Sequence, residues 1–166
     1  MKIVCQTINS NSRLKRLDLS LNKIKDEGLK NLCESLKKNK TLKEIDFSFN
    51  YIANLGIQYL ADCLLFNQTL EKLVLSSNKI GDNGIISFCK VMNSHESLRE
   101  LHLINNDIRD KGIKCFCNAL KNNKNLLKIS LSGNSVGDKG MIYLSDSIMH
   151  NKTIETIDFS FNFITI

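Results

Sequence analysis

The sequence predicts an α/β solenoid in which short strands stack into one parallel sheet and a helix packs behind each. Two observations carry the prediction. The first is a 28-residue repeat that runs on from Leu14 without insertion or deletion. The second is a change of apolar period within each repeat, from two residues to about 3.6.

Each repeat opens on its strand. Leu14, Leu42, Leu70, Leu98, Leu126 and Ile154 start the six copies. Three residues on stand Leu17, Ile45, Leu73, Leu101, Ile129 and Ile157, and two further on Leu19, Phe47, Leu75, Leu103, Leu131 and Phe159. Alternation of this kind buries one face of a strand. An asparagine then closes every strand: Asn22, Asn50, Asn78, Asn106, Asn134 and Asn162. At a buried turn its amide can both donate to and accept from backbone groups, so stacked copies form a ladder. Ile24, Ile52, Ile80, Ile108, Val136 and Ile164 follow as a further core column.

The helix comes next. Asp26, Asp82, Asp110 and Asp138 stand near its expected start, where an acid suits the free N–H groups. Glycine follows in each full repeat (Gly28, Gly56, Gly84, Gly112, Gly140), where close approach of the neighbouring repeat would leave no room for a Cβ. Leu29, Leu32, Cys33 and Leu36 then mark one apolar helix face, and Lys37 and Lys38 suit its negative end. No single unit can bury both faces, but a stack can.

The unit from Leu14 to Thr41 resembles the 28-residue leucine-rich repeat of the ribonuclease-inhibitor type, also found in the Ran GTPase-activating protein and the sensor regions of NOD-like receptors. The resemblance covers residues 14–166. It implies a right-handed α/β solenoid, a horseshoe arc with the parallel sheet on the concave side and helices on the convex side. It also implies protein–protein recognition as the prevailing role, without naming a partner.

The ends fit the same frame. Met1, Val4, Cys5 and Ile8 fall in the columns of Leu29, Leu32, Cys33 and Leu36, and Asn11 in that of Asn39, Asn67, Asn123 and Asn151. The expected organisation is a single domain over 1–166: a half-repeat helix over 1–13, five full repeats over 14–153, and a half-repeat strand over 154–166. Two readings of the last strand stand open: a longer array cut short, or an edge bearing Phe161 and Phe163 that stacks on a partner or a second copy.

Composition narrows the role. The net charge is +6, but only Arg13, Arg16, Arg99 and Arg109 among the 23 basic residues are arginine. Arginine is the residue favoured for bidentate reading of bases and phosphates, so specific nucleic-acid recognition is not expected. No apolar run suits a membrane span, and the first residues lack the apolar core of a secretory signal. The expected location is cytoplasmic, with nuclear as the second option.

Catalytic constellations are missing: no G-x-S-x-G, P-loop or H-E-x-x-H occurs. No cofactor or metal is expected. Cys5, Cys33, Cys89 and Cys117 share one buried column and read as core, while Cys63 and Cys115 lie off it and are expected to be partly exposed. Three sequons, at Asn39, Asn67 and Asn151, recur at one repeat position and read as a by-product of the repeat.

What remains for binding is the outward strand face and the turns beyond it. There the candidates are Asp18, Glu44, Asp46, Lys72 and His102 on the strands, with the aromatics Phe49, Tyr51, Phe161 and Phe163 in the turns. Asp18, Glu44 and Asp46 form an acidic patch, and the aromatics either anchor a partner or close the turn over the core. The expected function is a non-enzymatic scaffold that binds a protein through the concave strand face and adjoining turns. The alternatives are a structural subunit stacking through its ends and a regulator of a small GTPase. The catalytic motif of the Ran activator is not recognisable here, so no effect on GTP hydrolysis is expected.

Overall fold

The computed structural model describes residues 1–165; Ile166, the last residue of the predicted half-repeat, lies outside the described residues. Helices and strands alternate along the chain: α1 (Lys2–Ser10), β1 (Arg16–Asp18), α2 (Lys25–Lys38), β2 (Glu44–Asp46), α3 (Asn54–Leu64), β3 (Lys72–Val74), α4 (Gly81–Met92), β4 (Glu100–His102), α5 (Asp110–Asn122), β5 (Lys128–Ser130), α6 (Asp138–His150) and β6 (Thr156–Asp158). The strands form one six-stranded sheet in chain order, every neighbouring pair parallel. Register follows the repeat, so that Leu17 faces Ile45, Ile45 faces Leu73, and so on to Ile157. Strands stack about 4.8 Å apart and packed helices about 8–10 Å apart. A stack of such units must therefore arc, with the sheet inside.

The predicted core columns are the core. Leu42, Leu70, Leu98, Leu126, Ile45, Leu73, Leu101 and Ile129 are all at most 3% exposed. The flanking residues Leu14, Leu17, Ile154 and Ile157 are only partly buried.

The Asn ladder forms as expected. Asn78 Nδ2 donates to the carbonyls of Phe47 (3.0 Å) and Leu75 (3.0 Å), while its Oδ1 accepts from the N–H of Asn50 (3.1 Å) and Ile52 (2.9 Å). Asn134 does the same two repeats on, with Leu103, Leu131, Asn106 and Ile108. Asn106 departs from the rule. Its Nδ2 donates to Leu75 (2.9 Å) and Ile104 (3.1 Å), but its buried Oδ1 has no partner. At that boundary the chain turns through Gly81 in the left-handed region (φ +59°), and the Gly81 N–H bonds to the Asn106 main-chain carbonyl instead.

A second ladder runs where helices meet strands. Asn39, Asn67 and Asn151 each donate from Nδ2 to main-chain carbonyls of the preceding repeat and accept from two N–H groups that follow them. These are the three sequon asparagines, and their Nδ2 atoms are occupied. In the same column His95 replaces Asn and is 2% exposed. Its Nδ1 accepts from the Leu98 N–H (3.1 Å), which fixes any ring proton on Nε2, and Nε2 is buried without a hydrogen bond. Burial holds its pKa below the ordinary histidine value, against the opposing pull of the Asn67 carbonyl and with a small further push from Arg99.

The helix caps differ from the expectation. Asp26, Asp82 and Asp110 do not cap their own helices; each reaches the start of the next one. Asp82 Oδ1 accepts from the N–H of Arg109 (2.8 Å) and Gly112 (3.0 Å), and Asp110 Oδ1 from Gly137 (2.8 Å) and Gly140 (3.1 Å). Asp26 Oδ1 likewise takes the Ala53 N–H. The reason is spatial: the acid sits in the first turn of its own helix, where its side chain projects toward the following repeat. The glycine column then explains itself. A Cβ on Gly112 would lie 2.6 Å from Asp82 Oδ1 and 3.1 Å from Asp82 Cα. Where Asn54 replaces the acid, the next helix, α4, starts instead at the left-handed Gly81.

Two cysteines depart from expectation: Cys5, read as part of a buried column, is only half-buried. Cys63 was expected to be partly exposed and is fully buried, because its column (Ser35, Cys63, Val91, Ala119, Ser147) faces the adjacent helix. Its thiol donates to the Cys33 carbonyl (3.4 Å). The Cys33 thiol is raised well above its ordinary pKa, first by a hydrogen bond with Cys63 and then by burial. Cys115 is half-buried, as is Cys5.

Candidate functional site

Two surfaces emerge from the outward columns. The first lies on the concave sheet. Because the register is strict, residues 28 apart stand side by side, and the column Arg16, Glu44, Lys72, Glu100, Lys128 becomes a row of alternating charge. Arg16 pairs with Glu44 (3.7 Å), and Glu100 takes Lys72 (3.1 Å) on one side and Lys128 (3.4 Å) on the other. Burial pushes the Glu100 carboxyl upward, but Lys72, His102 and Lys128 together outweigh it and hold it below the usual range. His102 Nε2 lies 3.5 Å from the same carboxylate without an aligned hydrogen bond.

A shallow groove on this face brings together Glu44, Asp46, Lys72 and His102, floored by Ile45 and Val74. Four of the nine sequence-nominated residues therefore meet here. Asp18 does not line the groove, although Arg16 of the same strand does: it is exposed, and its Oδ1 accepts the Ser20 N–H (2.9 Å). The Ser20 hydrogen bonds lower its pKa. Asp46 holds the Ser48 N–H in the same way (2.7 Å). The acidic patch read from the sequence is thus largely spent on the chain itself, with Glu44 paired and Asp18 and Asp46 fixing the strand exits.

The second surface is the edge formed by the turns after the strands. Phe49 and Tyr51 are 52% and 54% exposed, so they do not close over the core. Leu21, absent from the sequence-based candidates, is 76% exposed and lines one cleft with them. All three occupy the left-handed region (φ +57°, +57° and +59°), a conformation costing about 1–2 kcal/mol for a residue with a Cβ. A neighbouring cleft shares Tyr51 and Lys23 and adds Lys25 and Lys79. Lys79 Nζ stands 5.8 Å from the Tyr51 ring centre. The remaining nominees, Phe161 and Phe163, are exposed in the turn after β6, four strands from Phe49 and so about 19 Å along the sheet.

Nothing in either surface forms a nucleophile–base pair or a ligand cage. Among the described residues no group of three or more His, Cys, Asp or Glu could hold a metal ion, and no helix is long and apolar enough to cross a membrane.

In-register strands, helices behind them and laddered turn asparagines define a solenoid repeat protein. The Leucine Rich repeat family profile matches residues 10–33, 38–61, 66–89, 94–117 and 122–145, and the chain belongs to that family. Among solved structures, the chain is similar to "Leiomodin-1 Actin-Binding Site 2 (ABS2)" (TM-score 0.76, 21% identity, covering 88% of this chain and 86% of that one). It is also similar to the tropomodulin C-terminal domain of Caenorhabditis elegans (TM-score 0.72, 15% identity, covering 90% and 91%). At these identities the likeness concerns the fold. No curated protein sequence matches the chain.

Proposed function

We propose that this chain is a non-enzymatic protein-interaction scaffold that binds a protein through its concave strand face and the adjoining turns. One observation carries the reading: the repeat leaves Phe49 and Tyr51 more than half exposed beside the strand face, at left-handed turn positions that other repeats fill with Ser77, Asn105, Asp107 or Gly133. Asp18, Glu44, Asp46, Lys72 and His102 supply the polar part of the same face, and Phe161 and Phe163 a separate apolar point beyond it.

The leiomodin domain is an actin-binding site, which makes actin the first protein to test. Co-sedimentation with actin filaments, and affinity capture from an extract, should be run with the parent chain, a Phe49→Ala/Tyr51→Ala variant and Lys72→Glu. Retained partners should be lost from at least one variant. Capture that is identical for all three would refute the proposed face.

A further inference from the structure

From the turn edge after β1, β2 and β3 we infer a docking site for an acidic peptide segment that carries an apolar anchor. The inference deepens the scaffold reading and rests on it. Tyr51 and Lys23 are shared by two clefts, one mainly apolar, with Leu21 and Phe49, and one basic, with Lys25 and Lys79. The basic wall is uncommitted: among the described residues, no carboxylate pairs within 4.0 Å with any of these three ammonium groups. Asp26 and Glu27 lie in the same cleft but are engaged elsewhere, Asp26 by the Ala53 N–H and Glu27 by Lys30.

The contrast along the same edge is informative. Farther on, the corresponding turns carry Asn105, Asp107, Gly133 and Ser135, small or polar residues, some of which suit left-handed backbone. Large apolar side chains stand there in the first turns, where lysines line the adjoining cleft, and again in the last as Phe161 and Phe163. An aromatic wall with a lysine over its face attracts carboxylates to one side and an apolar side chain to the other. A basic or purely apolar partner would leave the three ammonium groups unmatched.

The intact chain, immobilised, is panned against a phage-displayed random-peptide library, and recovered peptides are titrated as fluorescein-labelled copies. Enrichment of Asp and Glu beside Phe, Trp or Leu is expected. Tyr51→Asn, which removes the ring while suiting the left-handed backbone, should weaken binding about thirtyfold. Lys23→Glu/Lys25→Glu/Lys79→Glu should abolish measurable binding, and added salt should weaken the parent. Far-UV circular dichroism verifies that both variants are folded. Recovered peptides without acidic enrichment, or binding indifferent to both variants, overturn the inference. Peptides that respond only to Lys72→Glu or His102→Ala would sink this site and leave the scaffold reading standing. A library that yields no enriched peptide sinks both.

Discussion

Replacing Asn78 and Asn106 by alanine, one at a time, should cost unequal amounts even though both sit in the same ladder column. Asn78→Ala leaves the N–H groups of Asn50 and Ile52 buried without an acceptor, and removes one of the donors to Phe47 and Leu75. Phe47 and Leu75 keep another donor, from Asn50 and Asn106 respectively. The two orphaned N–H groups therefore dominate, at about 1–3 kcal/mol each. The expected loss is about 3–5 kcal/mol. Asn106→Ala orphans no N–H, because Oδ1 has no partner in the parent. Its loss is confined to two Nδ2 donations, one of them to a carbonyl that Asn78 also serves, and should be about 1–2 kcal/mol. Urea unfolding followed by far-UV circular dichroism measures both, with midpoint and slope compared across variants. Equal losses, or a larger loss for Asn106→Ala, would refute the account of the ladder as an acceptor for the preceding turn.

Three further outcomes can be checked in the same way. Gly112→Ala should destabilise by about 1–3 kcal/mol despite the helix propensity gained, because its Cβ meets Asp82; Gly81→Ala, with open space but φ +59°, should cost about 1 kcal/mol. His95→Asn should restore the ladder and raise the thermal midpoint. The parent should also lose stability that this variant keeps as pH falls below about 6.5. The sign follows from burial: the folded state binds the His95 proton less readily than the unfolded chain, so its contribution is complete above the unfolded pKa and fades below it. An identical pH slope in both proteins would contradict this. With a thiol-specific chromogenic reagent, the half-buried Cys5 and Cys115 should react under native conditions before the buried Cys33, Cys63, Cys89 and Cys117. Burial pushes the Cys117 thiol up to about 11, which reinforces the order.

The core was legible because each buried position is written six times in register, so a strand of only three residues is still recognisable. Contacts that cross from one repeat to the next were harder to see. Asp82 was read as a cap for α4, whereas its partners stand 27 and 30 residues on, at the start of α5. His95 gives no local signal as a histidine, although it stands 28 residues beyond Asn67 and inherits that residue's buried post. The charge row could have been read from the repeat, since residues 28 apart are strand neighbours; doing so would have paired Glu44 with Arg16 and left Asp18 beside Asp46 as the acidic pair. Lys23, Lys25 and Lys79 gave no local signal, because the cleft that gathers them depends on how successive turns bend.

The reach of Asp26, Asp82 and Asp110 into the following helix also bears on how such a gene could be edited. Whole repeats look interchangeable when counted strand to strand, yet the acid and the glycine it meets are encoded on opposite sides of that seam. Splicing a copy of the second repeat ahead of the fifth would set Asn54 against a helix start that expects an acid. Because the acid and the glycine it meets stand 30 residues apart, no single 28-residue unit holds both, and a duplicated repeat is compatible only behind one that supplies the acid.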